Sequence, residues 1–328
     1  MNYTNNMSLK KMIRPVAKEL ELFEKEYLYQ LSSDTDFLRP LLKYVQGGKG
    51  KRLRPVLFFL SQGLIAQPNP ESVKIAALLE LLHTATLIHD DVVDDSAERR
   101  GKKTLNMVWG NHISILFGDY LLAKVLILGV QSDWREALEI IAKVSMNMGK
   151  GELRQTIQGI EKKFSGDEYF RIIREKTAYL FMAACELAAV VVKTTEKERA
   201  RLCQLGENFG MAFQIRDDIL DFSGHSDEMG KPMGQDMSNG KVTLPLIMAF
   251  EDAAEGDRRR VMQKFIRNTE DDREWIQEFV KKKGGIGKAQ EKARNFVEHA
   301  REALMTFEPS IYRESLEELM TFDLERMG

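Results

Sequence analysis

Two aspartate-rich pentapeptides, Asp90-Asp91-Val92-Val93-Asp94 and Asp217-Asp218-Ile219-Leu220-Asp221, are the residues of this chain best suited to chemistry. On a helix, positions i and i+4 share a face, so Asp90 and Asp94 can aim into one space, and Asp217 and Asp221 can do the same. A lone acidic pentapeptide is as readily a solvated helix face. Here both lie in apolar surroundings, LLHTATLIHDDVVD and MAFQIRDDILDF, where carboxylates persist only if paired or metal-bound. The duplication points to two carboxylate clusters facing each other as a cage for divalent metal. Cys185 and Cys203 are the only cysteines and no other soft-ligand cluster occurs, so a hard, oxygen-liganded ion is expected, Mg²⁺ before Zn²⁺.

Cations surround these motifs. Arg99-Arg100-Gly101 follows the first, and Gly50-Lys51-Arg52-Leu53-Arg54-Pro55 precedes it, with Lys51 and Arg54 three apart at a helix start. Lys176-Thr177 and Gly230-Lys231-Pro232 add further positive charge. A basic string alone is most simply a solvated turn. Aspartates, Mg²⁺ and several Arg or Lys together are what gripping a diphosphate requires: metal bridges the oxygens and guanidinium forks complete the neutralisation. There are enough cations for two diphosphates.

The elements that must position these groups read as helices. Ile75, Leu78, Leu79 and Leu82 mark one apolar stripe, and Phe117, Leu121, Val125 and Leu128 another. Breaks at Gly47-Gly48-Lys49-Gly50, Gly230 to Gly240 and Lys283-Gly284-Gly285 read as loops between helices rather than domain boundaries. The expectation is one all-α domain over residues 1–328, its helices surrounding a central cavity, with the motifs in about 50–245 and packing helices after about Glu251. With 48 basic and 50 acidic residues the net charge is −2, which gives no footprint for nucleic acid. Two cysteines in 328 residues fit a reducing compartment. The N-terminus lacks the apolar core of a signal peptide. The longest apolar run, Tyr120 to Val130, is broken by Lys124, so no membrane span is expected and a cytoplasmic location follows by default.

In order and spacing, GKRLRP, HTATLIHDDVVD, RRG, GDYLLAK, KTA, FQIRDDILD, GKPMGQD and NGKVTLP resemble the trans-isoprenyl diphosphate synthases, the polyprenyl synthetase family. The resemblance implies an all-α prenyltransferase, normally a homodimer, that joins isopentenyl diphosphate to an allylic diphosphate such as farnesyl or geranyl diphosphate. It assigns Lys51, Arg54, His83 and Arg100 to isopentenyl diphosphate. Arg99, Lys176, Thr177, Gln214 and Lys231 would hold or face the allylic substrate. Asp90, Asp94 and Asp217 would ligate Mg²⁺ directly, three ions with substrate bound, while Asp91, Asp218 and Asp221 act mainly through water. Two departures occur: the first motif reads GGKGKRLRP, a longer loop, and Lys102-Lys103-Thr104 stands where the family has KPT. Neither removes a ligand.

The chemistry is ionisation of an allylic C–O bond, attack by the alkene and loss of a proton. Cations stabilise the leaving diphosphate, and the Thr177 hydroxyl and Gln214 amide oxygen supply dipoles to the carbocation. His89 adjoins the cage, yet the resemblance gives the proton to the released diphosphate. His83 lies two turns before Asp90 on the same face, which favours a ligand over a core histidine. Ala85 and Thr86, five and four residues before Asp90, are small, and Leu82 lies one turn further back. The resemblance runs the prenyl tail along this helix and blocks it with an aromatic at one of these positions in short-chain members. A product longer than C20, C30 to C40, of the kind used for quinone side chains, is therefore expected. The alternatives are a C15 or C20 synthase, a class I terpene cyclase, for which Lys51, Arg54 and Arg100 would be superfluous, and a partner-dependent or non-catalytic subunit of a heteromeric synthase.

Overall fold

Helix boundaries follow the punctuation of the sequence. In the computed structural model, which describes residues 11–48, 50–99, 101–131, 134–223 and 234–325, a 3₁₀ turn at Arg14–Val16 leads into α1 (Ala17–Gln30), α2 (Arg39–Gln46), α3 (Leu53–Gly63) and α4 (Pro70–Val93). A two-stranded ribbon, β1 (Glu98–Arg99) and β2 (Lys102–Lys103), precedes α5 (Leu105–Trp109), α6 (Asn111–Gln131), α7 (Arg135–Glu161) and α8 (Gly166–Ile173). A π-helical turn, Arg174–Ala178, joins α8 to α9 (Tyr179–Val191). Then come α10 (Glu196–Ser223), α11 (Gln235–Ser238), α12 (Leu244–Glu251), α13 (Glu255–Arg267), α14 (Glu270–Lys282), α15 (Gly285–Leu304) and α16 (Ile311–Glu325). The expected all-α class is what the chain adopts.

The chain forms two compact units, one of Met1–Ser145, Leu180–Gly206 and Arg301–Leu319, the other of Met146–Tyr179, Glu207–Ala300 and Met320–Gly328. In the first, α4 is the central element and is packed by α1, α3 and α6. Asn69 and Ser72 start it with a reciprocal capping box: the Ser72 amide donates to Asn69 Oδ1 at 3.0 Å, and the Asn69 amide donates to Ser72 Oγ at 3.1 Å. Pro70 occupies the first turn, where its missing N–H costs nothing. The expected stripe of Ile75, Leu78, Leu79 and Leu82 is buried, and so are Ala76, Ala77, Leu81 and Ala85 on the other faces. A helix that is apolar all round belongs in a core.

Two helices, α4 and α6, are long and apolar enough to cross a membrane by length and composition alone, a property that core helices share. Lys124 does not interrupt α6, because its ammonium reaches back to the carbonyls of Gln30 and Ser32, and burial lowers its proton affinity. The apolar window of α4 is 78% buried within the protein, that of α6 only 33%. In α6, Phe117, Leu121 and Val125 face inward, while Leu116, Leu126, Ile127 and Val130 are exposed.

The second unit has its own core. Tyr169 and Ile173 of α8, Ile215, Ile219 and Phe222 of α10, Ile247 of α12, Ile276 and Val280 of α14 and Ala289 and Ala293 of α15 are buried together. Ser165 caps α8 through the Glu168 amide at 3.4 Å, and Gly284, at φ +70°, ends the turn after α14 in the left-handed region.

Candidate active site

In the first unit, GKRLRP forms the approach to α3. Arg52 adopts a left-handed backbone (φ 46°), which is unfavourable without glycine. Its guanidinium is held over the Tyr27 ring at 4.4 Å, with Glu80 at 2.9 Å and Glu24 at 3.3 Å. Burial opposes its charge and these partners more than restore it. Arg52 is thus the anchor of the motif. Lys51 stays exposed before the helix, and Arg54 enters its first turn.

Arg54 Nη1 lies 2.9 Å from His83 Nε2, and its guanidinium stacks over Phe181 at 4.6 Å. Arginine only donates, so His83 Nε2 must accept, which leaves the ring proton on Nδ1. The structure therefore brings together two of the residues expected at isopentenyl diphosphate. His89 goes elsewhere. Its Nε2 is 3.1 Å from the Ile115 carbonyl and 3.4 Å from Asp119 Oδ1, both on α6. A Cβ on Gly118 would lie 2.2 Å from that nitrogen, so glycine is what admits the ring. His89 joins α4 to α6.

The first aspartate motif is the last turn of α4. Asp94 is the C-cap, its amide donating to the Asp90 carbonyl at 2.8 Å, so the two side chains stay one turn apart as expected. Negative charge at a helix C-terminus is unfavourable, a penalty that a bound cation removes. Asp91 faces inward: Arg99 Nε donates to its Oδ1 at 2.8 Å. Arg99 stands on the ribbon, where it pairs with Lys102 across a turn completed by Gly101 at φ +72°. Sequence periodicity gave no sign of two-residue strands. Arg100 and Lys231 lie outside the described residues.

In the second unit, Lys176 and Thr177 lie in the π-helical turn, a local widening that often marks functional sites. Lys176 Nζ meets Glu152 Oε2 at 2.5 Å and Gln155 Oε1 at 2.6 Å, both on α7. A Cβ on Gly151 would sit 2.6 Å from the Lys176 amide nitrogen. Gly151→Ala is therefore expected to displace the turn and to lower activity more than thermal stability, measured by turnover against melting temperature. Equal activity in this variant would show that the turn tolerates movement.

A hydrogen-bonded series runs from this turn into α10. The Thr177 hydroxyl donates to Gln214 Oε1 at 2.8 Å, Gln214 Nε2 donates to Asp218 Oδ1 at 2.8 Å, and the Tyr169 hydroxyl donates to Asp218 Oδ2 at 2.6 Å. Burial first, then the neighbouring Asp236, pushes the Asp218 carboxyl up to about 8. Asp217 is partly exposed and pairs with Arg216 Nη2 at 2.6 Å. Asp221 is buried and accepts from the amides of Gln235 at 3.2 Å and Asp236 at 3.4 Å, fixing the start of α11.

The six aspartates thus fall into two sets. Asp91, Asp218 and Asp221 are buried, while Asp90, Asp94 and Asp217 are partly exposed. Among the described residues no three His, Cys, Asp or Glu side chains converge into a complete metal site. Carboxylate pairs still fit Mg²⁺, which takes one or two carboxylates, keeps several waters and accepts the remaining oxygens from substrate phosphates. A cation beside Asp217 would also favour the ionised form of buried Asp218. Sequence reasoning missed Tyr169, Glu152 and Gln155, because no motif pattern singles out a partner supplied by another helix, and gave no role to Asp236, the last residue of GKPMGQD.

The family model for polyprenyl synthetase matches residues 35–282. The chain belongs to this family. It is a trans-prenyltransferase. It is 34% identical over 318 residues to the all-trans-nonaprenyl-diphosphate synthase (geranyl-diphosphate specific) of Rhodobacter capsulatus, covering 96% of this chain and 97% of that one. Its fold is similar to a polyprenyl synthase of Caulobacter crescentus complexed with calcium and isoprenyl diphosphate, with TM-score 0.92, 33% identity and 98% of each chain covered. It is also similar to a geranylgeranyl pyrophosphate synthetase of Pyrococcus horikoshii, with TM-score 0.86, 30% identity, and 96% and 98% covered. Divalent-metal dependence fits the family and the oxygen donors alike.

Proposed function

We propose that this prenyltransferase condenses isopentenyl diphosphate with an allylic diphosphate, farnesyl or geranyl, into an all-trans product longer than C20, within C30 to C40. The observation that carries the chain length is Ala85, fully buried, beside Thr86, with no large side chain at either position on the helix leading to Asp90. The Rhodobacter relative, named for nine isoprene units, supports a long product and lies one unit above that bracket. The family model spans residues of both units, which supports reading them as one catalytic domain.

Asp90, Asp94 and Asp217 would hold Mg²⁺ directly, three ions with substrate bound, and Asp91, Asp218 and Asp221 would help mainly through water. When bound, Mg²⁺ supplies neutralisation of the leaving diphosphate. Arg99, Lys176 and Lys231 take the diphosphate oxygens. Thr177 and Gln214 set dipoles beside the allylic carbon. Lys51, Arg54, His83 and Arg100 hold isopentenyl diphosphate, and His83, accepting from Arg54, orients that guanidinium. His89 is engaged on α6, which supports the family-based reading that the released diphosphate, rather than this imidazole, takes the proton.

The exposed apolar side of α6, with Leu116 at 65% and Val130 at 73% exposure, supports the homodimer over a monomer. Sedimentation at twice the chain's mass would check it. The expected site of action is cytoplasmic.

The reaction is tested by incubating the purified protein with labelled isopentenyl diphosphate, farnesyl or geranyl diphosphate and Mg²⁺, then sizing the products. No elongation would overturn it. A cyclised hydrocarbon would return the cyclase reading. Within the same assay, Lys51→Ala and Arg54→Ala are expected to raise KM for isopentenyl diphosphate more than for the allylic substrate, and Lys231→Ala the reverse. One common profile for all three variants would show the substrate assignment to be wrong.

A further inference from the structure

The Tyr169 hydroxyl is buried in the core of the second unit, at the far end of the series that ends on Thr177. Its ring is fixed there, edge-on to Phe170 with centroids 5.5 Å apart. Tyr169 occupies Asp218 Oδ2 and Gln214 occupies Oδ1, so the carboxylate cannot rotate without breaking a buried hydrogen bond. The direction of the series then follows from donor and acceptor chemistry. Gln214 turns its NH₂ toward Asp218 Oδ1 and its carbonyl toward Thr177, while the Tyr169 hydroxyl donates to Asp218 Oδ2. The carbonyl takes the Thr177 proton. The oxygen of Thr177 is left with its lone pairs, rather than its proton, to offer to anything beyond the series.

We propose that Tyr169 is a positioning residue which, through Asp218 and Gln214, sets the polarity of the Thr177 hydroxyl so that its negative end meets the carbocation. This rests on the reading of the chain as a prenyl diphosphate synthase. An allylic cation is stabilised by oxygen lone pairs and destabilised by an O–H proton turned toward it, so a reversed hydroxyl costs more than an absent one. Removing the Tyr169 hydroxyl frees Asp218 Oδ2 and with it the orientation of the series.

Tyr169→Phe keeps the ring in the core, and its melting temperature and helical content establish that it folds. Its kcat is expected to fall about tenfold, the size of one hydrogen bond to a charged group, with KM for isopentenyl diphosphate unchanged. In a Thr177→Val background the same change is expected to cost little, because the hydroxyl it orients is gone. A binding measurement gives a readout apart from turnover. An ammonium analogue, with cationic nitrogen at the reacting carbon of an allylic diphosphate, is expected to bind Tyr169→Phe about tenfold more weakly, while a neutral thiolodiphosphate binds as before. Additive losses in the Tyr169→Phe/Thr177→Val pair, or equal weakening of both analogues, would make Tyr169 structural only and overturn the inference. Wild-type protein that fails to elongate at all would instead remove the synthase reading and this inference with it.

Discussion

Asp90→Ala and Asp217→Ala should each lower turnover by orders of magnitude at saturating Mg²⁺ while the helical fold survives. The loss is in transition-state stabilisation, at about 1.4 kcal/mol for each tenfold in rate. On the proposed mechanism, several kcal/mol of charge neutralisation on the departing diphosphate would depend on cations held by these carboxylates. The two variants should differ in stability. Asp90 stands at the negative end of α4, so its removal relieves repulsion and leaves melting temperature unchanged or higher. Asp217 pairs with Arg216, whose side chain is only 6% exposed, so alanine there weakens the setting of a buried guanidinium. Asp217→Asn, which retains a hydrogen-bond acceptor, is the better test of metal binding at that position. Single-turnover assays beside far-ultraviolet circular dichroism separate the two effects. Near-wild-type turnover in both Asp90→Ala and Asp217→Asn would sink the mechanism.

Product length should collapse when the helix leading to Asp90 is given an aromatic side chain. Thr86→Phe and Ala85→Phe are expected to stop elongation at roughly C15 to C20 with catalysis retained, the added ring filling the path of the tail. One helical turn rises about 5.4 Å, comparable to one isoprene unit, so an obstruction one turn from Asp90 acts after few condensations. The two positions are unequal. Ala85 is fully enclosed, and a phenyl ring there costs about 1 to 3 kcal/mol in overpacking. Thr86 is partly exposed and its hydroxyl donates to the His83 carbonyl at 2.8 Å, so the larger side chain is accommodated more easily. Beyond Leu82 the proposed path would continue toward α6, whose Phe117, Leu121 and Val125 are buried. Chromatography of the dephosphorylated products gives the length directly. Unchanged products in both variants, or a wild-type product of C15, would show that another element sets the limit.

Much of this molecule was legible in its sequence, for a physical reason. The pairing of Asp90 with Asp94 depends only on helical repeat, a local property of the backbone, and the carbonyl of Asp90 does receive the Asp94 amide. The all-α class followed from apolar periodicity, whereas the capping box of Asn69 and Ser72 that starts α4 emerged only in the structure. The series of motifs from GKRLRP to NGKVTLP was enough to name the family. Tertiary structure decided what these residues meet. Nothing in the string DDILD distinguishes Asp217, partly exposed, from Asp218, enclosed by Tyr169 and Gln214, or from Asp221, spent on the amides that begin α11. From the sequence, His83 was expected at isopentenyl diphosphate and His89 beside the aspartate cage without a catalytic role. Packing gave His83 to Arg54 and His89 to α6. Nor does the sequence tell where Lys124 carries its charge; its long stem takes the ammonium to the carbonyls of Gln30 and Ser32. Burial and hydrogen-bond partners come from residues distant in the chain, and these decided which aspartates of each motif are enclosed and which stay partly exposed.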